Sequence, residues 1–214
     1  MDSIKKLTEL FAKFPTIGSR TAGRFVFYLL KLPKEKTDEI INAILELKSK
    51  IRFCNFCFNP YEPFNLSQDE SQNLLCSICQ NSQRNRQLLC VIEKEADLQS
   101  IENTKKYQGL YFILNGASRF RKSDLDALRI NELKERFQNP QKFLLQNANF
   151  IEVIIATNPT PEGKATSVLV QRALKELGQV AAFKITHLGQ GLPVGGEVEY
   201  ADEETLESAF DGRK

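Results

Sequence analysis

Two C-x-x-C pairs, Cys54-Asn55-Phe56-Cys57 and Cys76-Ser77-Ile78-Cys79, stand 18 residues apart and account for four of the five cysteines in the chain. A C-x-x-C turn lets two thiolates converge on one tetrahedral ion, and a second turn closes the shell. A gap of about 15–20 residues is what the intervening ribbon needs to bring both turns together. Four sulfur ligands leave no open position for water, so the spacing predicts one structural zinc per chain, held by Cys54, Cys57, Cys76 and Cys79. The competing reading is a pair of disulfides or unpaired thiols, which a reducing compartment disfavours. The fifth cysteine, Cys90, lies in an apolar run and reads as a small buried residue.

A second cluster is basic. Phe14-Pro15-Thr16-Ile17-Gly18-Ser19-Arg20-Thr21-Ala22-Gly23-Arg24 separates two helical patterns and resembles a helix-hairpin-helix element, whose usual turn is Gly-hydrophobic-Gly. Such a turn aims backbone N–H groups and a helix N-terminus at a DNA phosphate. Arg20 and Arg24 are one helical turn apart, so both could meet a phosphate backbone from one face. Thr16 stands where the first glycine is usual. An ordinary helix–turn–helix connection with exposed arginines is the other reading of this segment.

A third set is acidic and amide-bearing. The run at residues 88–93 ends in Glu93, and a later apolar run leads into Asn158-Pro159-Thr160-Pro161-Glu162-Gly163. These resemble a Toprim domain, which holds Mg²⁺ with a glutamate after its first strand and an Asp-x-Asp pair after a later one. Asn158 and Thr160 replace the two aspartates. An amide and a hydroxyl supply no negative charge for a hard cation, so Glu93, Asn158 and Thr160 read as a vestigial site. Gly189-Gln190-Gly191-Leu192-Pro193-Val194-Gly195-Gly196 is glycine-rich but has valine where a dinucleotide fingerprint needs glycine. His187 is the sole histidine, which excludes any metal site built from several.

The elements that must carry these groups follow from periodicity. Helical spacing at Ile4, Leu7, Leu10, Phe11 and Phe14 ends at Pro15; a second helix is expected from an N-cap at Ser19 to Leu32, with Ala22, Val26, Leu29 and Leu30 on one face; a third is expected from a cap at Thr37. Beyond the cysteines, strands are expected at 88–93, 109–114, 150–157 and 180–186. Helices are expected at 95–103 and at 165–177, the latter stopped by Gly178. Alternating strands and helices indicate a parallel α/β layer. Residues 115–147 are ambiguous, with helical spacing around Leu125, Leu128, Leu133 and Phe137 and a break at Asn139-Pro140.

With 214 residues, 42% hydrophobic and 26% charged, the chain has the composition of a folded soluble protein. No apolar run approaches the roughly 20 residues of a membrane span. The N-terminus lacks the pattern of a signal peptide, so a cytoplasmic location is expected. Residues 1–53 hold eleven Lys/Arg against six Asp/Glu, whereas residues 197–211 hold seven acids and no base. The basic end suits an anion-binding module.

Taken in order, these segments resemble the bacterial recombination mediator family RecR over nearly the whole chain. The most specific stretch is Gly191-Leu192-Pro193-Val194-Gly195-Gly196-Glu197-Val198-Glu199-Tyr200-Ala201-Asp202, continuing through Thr205-Leu206 to Gly212-Arg213. Cys90-Val91-Ile92-Glu93 and Ala156-Thr157-Asn158-Pro159-Thr160 add to it. The resemblance implies an α/β chain of four parts: a helix-hairpin-helix DNA-binding domain (1–53), a four-cysteine zinc finger (54–80), a Toprim domain with a mainly parallel sheet (81–186), and a C-terminal segment (187–214) used in oligomer contacts. It further implies a bacterial, nucleoid-associated and non-enzymatic repair protein. This would be a ring-shaped homotetramer that clamps DNA and works with RecO and RecF to load RecA on gapped DNA. The family's DNA-contacting basic pair falls on Arg20 and Arg24, and an acid linked to RecO binding falls on Glu162. One departure is Asn115-Gly116-Ala117-Ser118-Arg119-Phe120-Arg121, followed by Lys122, where the family has a loop containing proline and glycine. The alternative from a different class is a Mg²⁺-dependent Toprim nuclease or primase.

Overall fold

The computed structural model describes residues 2–63, 74–115, 128–177, 182–189 and 191–213. The chain divides into two compact units, Met1–Ile51 and Arg52–Lys214.

The first unit is helical: α1 (Ser3–Phe11), α2 (Ser19–Lys31) and α3 (Lys34–Lys50). Asp2 caps α1 by accepting a hydrogen bond from the Ile4 N–H. Ala22 and Val26 of α2 are buried, and Phe11 meets Phe25 edge-on with ring centroids 6.1 Å apart. Two helix starts differ from expectation. Gly18, not Ser19, is the N-cap of α2, so the cap offers no side chain to the first-turn N–H groups. Helix α3 begins at Lys34 directly after Pro33, because proline fixes φ at a value suited to helix entry, and Thr37 lies inside the helix. Leu30 also departs from the predicted buried face and is exposed, with Phe27, Tyr28, Ile44, Leu45 and Leu47.

The second unit opens with a two-stranded antiparallel ribbon, β1 (Arg52–Phe53) on β2 (Pro60–Tyr61), and a short helix α4 (Ser77–Gln80). A four-stranded sheet follows, built from β3 (Leu88–Ile92), β4 (Leu110–Ile113), β5 (Glu152–Ala156) and β6 (Lys184–His187) in the order β4-β3-β5-β6. Every pairing in it is parallel. Its helices are α5 (Glu95–Asn103), α6 (Ile130–Gln138) and α7 (Pro161–Leu177), and α8 (Glu203–Asp211) closes the chain. Strands of a parallel sheet are covered on both faces, which is why β3 and the edge strand β4 read as unbroken apolar runs. Leu89, Val91, Phe112, Val153 and Ile155 face a core shared with Leu133, Phe137, Val170 and Leu174. Cys90, Ile92, Tyr111 and Ile113 face the opposite side, with Leu98 of α5.

Helix α7 starts four residues before the expected Ala165, because Pro161 serves the first helical turn. The expected Gly178 stop and the basic stretch Arg119–Lys122 lie outside the described residues. The break at Asn139-Pro140 appears as the end of α6 followed by a short 3-10 turn, Pro140–Phe143.

Candidate metal centre and nucleic-acid interface

The two C-x-x-C turns converge. One sulfur from each of Cys54, Cys57, Cys76 and Cys79 lies within 4.8 Å of all the others, and all four residues are buried. The Cys57 and Cys76 sulfurs are 3.6 Å apart. A disulfide would need about 2.05 Å, whereas the edge of a tetrahedron with Zn–S bonds of about 2.3 Å is about 3.8 Å. The donor set and its spacing therefore fit a divalent, thiophilic ion, and all five cysteines are free of disulfides.

Backbone bonds shape each knuckle. The Phe58 N–H donates to the Cys54 carbonyl, the Gln80 N–H to the Cys76 carbonyl, and the Asn55 N–H across to the Leu74 carbonyl. The centre is joined to the sheet rather than hung from it. The Ile113 N–H at the end of β4 donates to the Cys57 carbonyl at 3.1 Å. Phe56 is fully buried and stacks on Phe150, 5.9 Å between centroids. A cation–aromatic stack adds to this: the Arg129 and Arg136 guanidiniums lie 4.0 and 4.2 Å from the centroid of the Phe58 ring. Composition alone did not single out these two arginines, since nothing in their spacing marks them.

Arg20 and Arg24 are both exposed on α2, one turn apart, beside the uncapped N-terminus. The hairpin before it is closed by the Ile17 N–H donating to the Phe14 carbonyl at 3.1 Å. Pro15 and Thr16 are the two central residues of that turn, and Thr16 has φ +65°. Proline first and positive φ second is the pattern of a type II turn, which ordinarily requires glycine at the second position.

The sheet order puts β3 and β5 side by side while their connections leave in opposite directions, so a crevice opens at their C-terminal ends. Glu93 and Asn158 meet there. The Asn158 side-chain amide donates to one Glu93 carboxylate oxygen, and the Asn158 backbone N–H lies 3.4 Å from the other. Thr160 is turned to the helix instead, its hydroxyl accepting from the Gly163 N–H at 3.1 Å. Gly163 is required by close approach: a Cβ there would run into the Asn158 carbonyl and stand 2.9 Å from a Glu93 oxygen. The carboxylate that a Toprim site would give to a cation is thus occupied by an amide of the chain itself. Glu162 is exposed in the first turn of α7, not on a free loop, at the positive end of the helix dipole.

Next to this crevice a cavity of about 610 Å³ lies between α7, β6 and the C-terminal segment, lined in part by Lys164, Ser167, His187 and Glu204. Lys164 pairs with Glu204 of α8, tying the last helix to α7. The His187 Nδ1 is 3.4 Å from the Ser167 hydroxyl. Cys90 is inert within β3, its thiol pushed up to about 12 by burial. No helix among the described residues is long and apolar enough to cross a membrane.

Three family models match separate stretches of the chain. A family described as "RecR, helix-hairpin-helix" matches residues 4–48, a Toprim domain family matches 87–189, and "RecR, C-terminal" matches 191–214. The curated "Recombination protein RecR" of two Clostridium perfringens strains is 37% identical to the chain over 214 residues, covering 99% of this chain and 96% of theirs.

Proposed function

The chain belongs to the RecR family of recombination proteins, and on that premise we propose that it is a non-enzymatic DNA clamp that mediates recombinational repair. In this reading it assembles as a homotetrameric ring around DNA and, with RecO and RecF, promotes RecA loading on gapped DNA. Its place is the bacterial cytoplasm, at the nucleoid. The observation that carries the absence of catalysis is the Glu93–Asn158 pair. A site for phosphoryl transfer must hold a hard cation with several carboxylates, and here the second position is an amide already bonded to the first. The Mg²⁺-dependent nuclease or primase reading has no comparable support.

Zinc is the ion assigned to Cys54, Cys57, Cys76 and Cys79, one per chain, with a structural role. It supplies binding energy that is folding energy, holding the ribbon and α4 in the core beneath β4. DNA contact is assigned to Arg20 and Arg24, with the first-turn N–H groups of α2 facing a phosphate. These groups read charge and spacing rather than base edges, so binding should be independent of sequence. The exposed apolar residues of α2 and α3 support self-association, since a monomer seldom leaves so many together in water. Glu162 is assigned to RecO, docking a basic surface by charge complementarity.

The test is DNA binding by full-length protein to two unrelated duplexes across a range of salt. An Arg20→Ala/Arg24→Ala variant should weaken both complexes alike and reduce the slope of log affinity against log salt by about two units. Wild-type affinity and slope in the double variant would remove this surface from the account. Glu162→Lys should abolish RecO binding while leaving zinc content unchanged, and undiminished RecO affinity would refute that docking role.

A further inference from the structure

Arg136 is a buried arginine, 8% exposed, on the core-facing side of α6. Its Nε donates to the Asn55 carbonyl at 3.0 Å, inside the first C-x-x-C turn, and its terminal nitrogen lies 3.5 Å from the Glu132 carbonyl. The guanidinium stacks on Phe58 at 4.2 Å and on Phe143 at 4.1 Å. Among the described residues none of its hydrogen-bond partners is a carboxylate oxygen; Glu132 and Glu135 on its own helix and Cys54 act on it only through the field, and the neighbouring Arg129 cation opposes them. Burial pulls its pKa below the ordinary value, the sign of a cation held in an unfavourable place. A charge so placed needs a counter-charge, because an isolated buried ion is strongly disfavoured.

The metal centre has the opposite deficit. Four thiolates around one divalent ion leave two negative charges uncompensated, and its ligands are buried too. The Asn55 peptide joins the two. Its N–H is used by the Leu74 carbonyl, on the chain leading to the second cysteine pair, and its carbonyl is used by Arg136. We propose that Arg136 is the counter-charge of the tetrathiolate centre: a positioning residue that raises metal affinity by balancing the centre's negative charge and fixing the first cysteine turn. Arg129, on the other contact to Phe58 and bonded to the Ile113 carbonyl at 3.3 Å, supports the same ring from β4. The inference rests on reading the four cysteines as a bound metal centre.

The experiment measures zinc affinity of full-length protein by competition with a chelator, and Co²⁺ substitution reports four-sulfur ligation through its thiolate charge-transfer band. Arg136→Met, which removes the charge and keeps the bulk, should weaken zinc binding about 10- to 100-fold, the usual penalty for losing an outer partner of a metal site. Arg136→Lys, which keeps the charge but gives up the Nε bond and the planar stack, should lose several-fold less affinity than Arg136→Met, a difference that a packing role would not produce. Arg172→Met, an exposed site on α7, controls for net charge and should leave affinity unchanged. Equal losses in Arg136→Met and Arg136→Lys would overturn the proposal, as would no loss in either. Should Arg136→Met fail to fold, Arg136→Lys decides alone: a loss above about tenfold refutes the counter-charge role, and a smaller loss supports it. Wild-type protein without any bound ion would overturn the metal reading itself, a result separate from these.

Discussion

Thr16 is the residue at which the hairpin disagrees with its own backbone. It occupies the second central position of the Phe14–Ile17 turn at φ +65°, and a β-branched side chain is poorly accommodated there. The left-handed conformation costs a non-glycine residue about 1–2 kcal/mol. Replacing it by glycine removes that cost but loosens the unfolded chain, an opposing effect of about 0.4–1 kcal/mol. Thr16 is exposed and its hydroxyl bonds to no described residue, so little packing is lost. Thr16→Gly should therefore stabilise the helical unit by about 0.5–1 kcal/mol, slowing amide exchange in α1 and α2 about two- to fivefold. Thr16→Ala keeps a Cβ in the same region and should recover less than glycine does. Native-state hydrogen exchange on full-length protein reads both, with the sheet amides of β3 and β5 as an internal reference that should not move. Unchanged or faster exchange in Thr16→Gly would refute the strain argument and show that the threonine side chain itself holds the turn.

The pH dependence has a definite sign. Burial would raise the Glu102 carboxyl, but hydrogen bonds from Arg84 and Tyr111 outweigh it and hold the group below the usual range. A carboxyl depressed in the folded state contributes stability above its unfolded value, about 4.3, and loses it as pH falls through the folded one. Glu102→Gln should thus lower the urea midpoint at pH 7, with the gap to wild type narrowing as pH falls below the unfolded value; a gap that stays constant into acid would contradict it. Gly163→Ala should destabilise the second unit by about 1–3 kcal/mol, the usual cost of overpacking, because the new methyl drives Asn158 away from Glu93. Urea titration that finds it neutral would mean the crevice is more yielding than its geometry implies.

Much of this architecture was legible from residue types. The cysteine spacing named the four sulfurs that the fold gathers into one cluster, because two sulfurs on one tight turn leave few other partners. The apolar runs around Cys90, Phe112 and Ile154 located three of the strands, since buried parallel strands carry no polar alternation, and the fourth, expected at 180–186, is observed at Lys184–His187. Helix starts were less legible: the cap at Gly18 and the entry after Pro33 depend on backbone angles, which serine and threonine nearby imitate in sequence. Arg129 and Arg136 were not foreseen. Their partners Phe58 and Asn55 are more than 70 residues away in the chain, and the pairing exists only once α6 packs on the cysteine turns. The Glu93–Asn158 bond is a similar case, where the substitution was visible but the amide's grip on the carboxylate needed β3 and β5 side by side.

The measurement that bears most directly on the proposed clamp is retention on DNA whose ends are open or closed. Full-length protein bound to a closed circular gapped duplex, and to the same duplex linearised, is challenged with high salt and the remaining complex is counted. Salt screens the phosphate contacts of Arg20 and Arg24 on both, so a ring that encircles DNA persists on the circle and slides off the free ends. Retention on the circle with loss from the linear form is the result predicted here. Equal loss from both would show that the protein holds DNA only by its surface charges, and the clamp would be wrong.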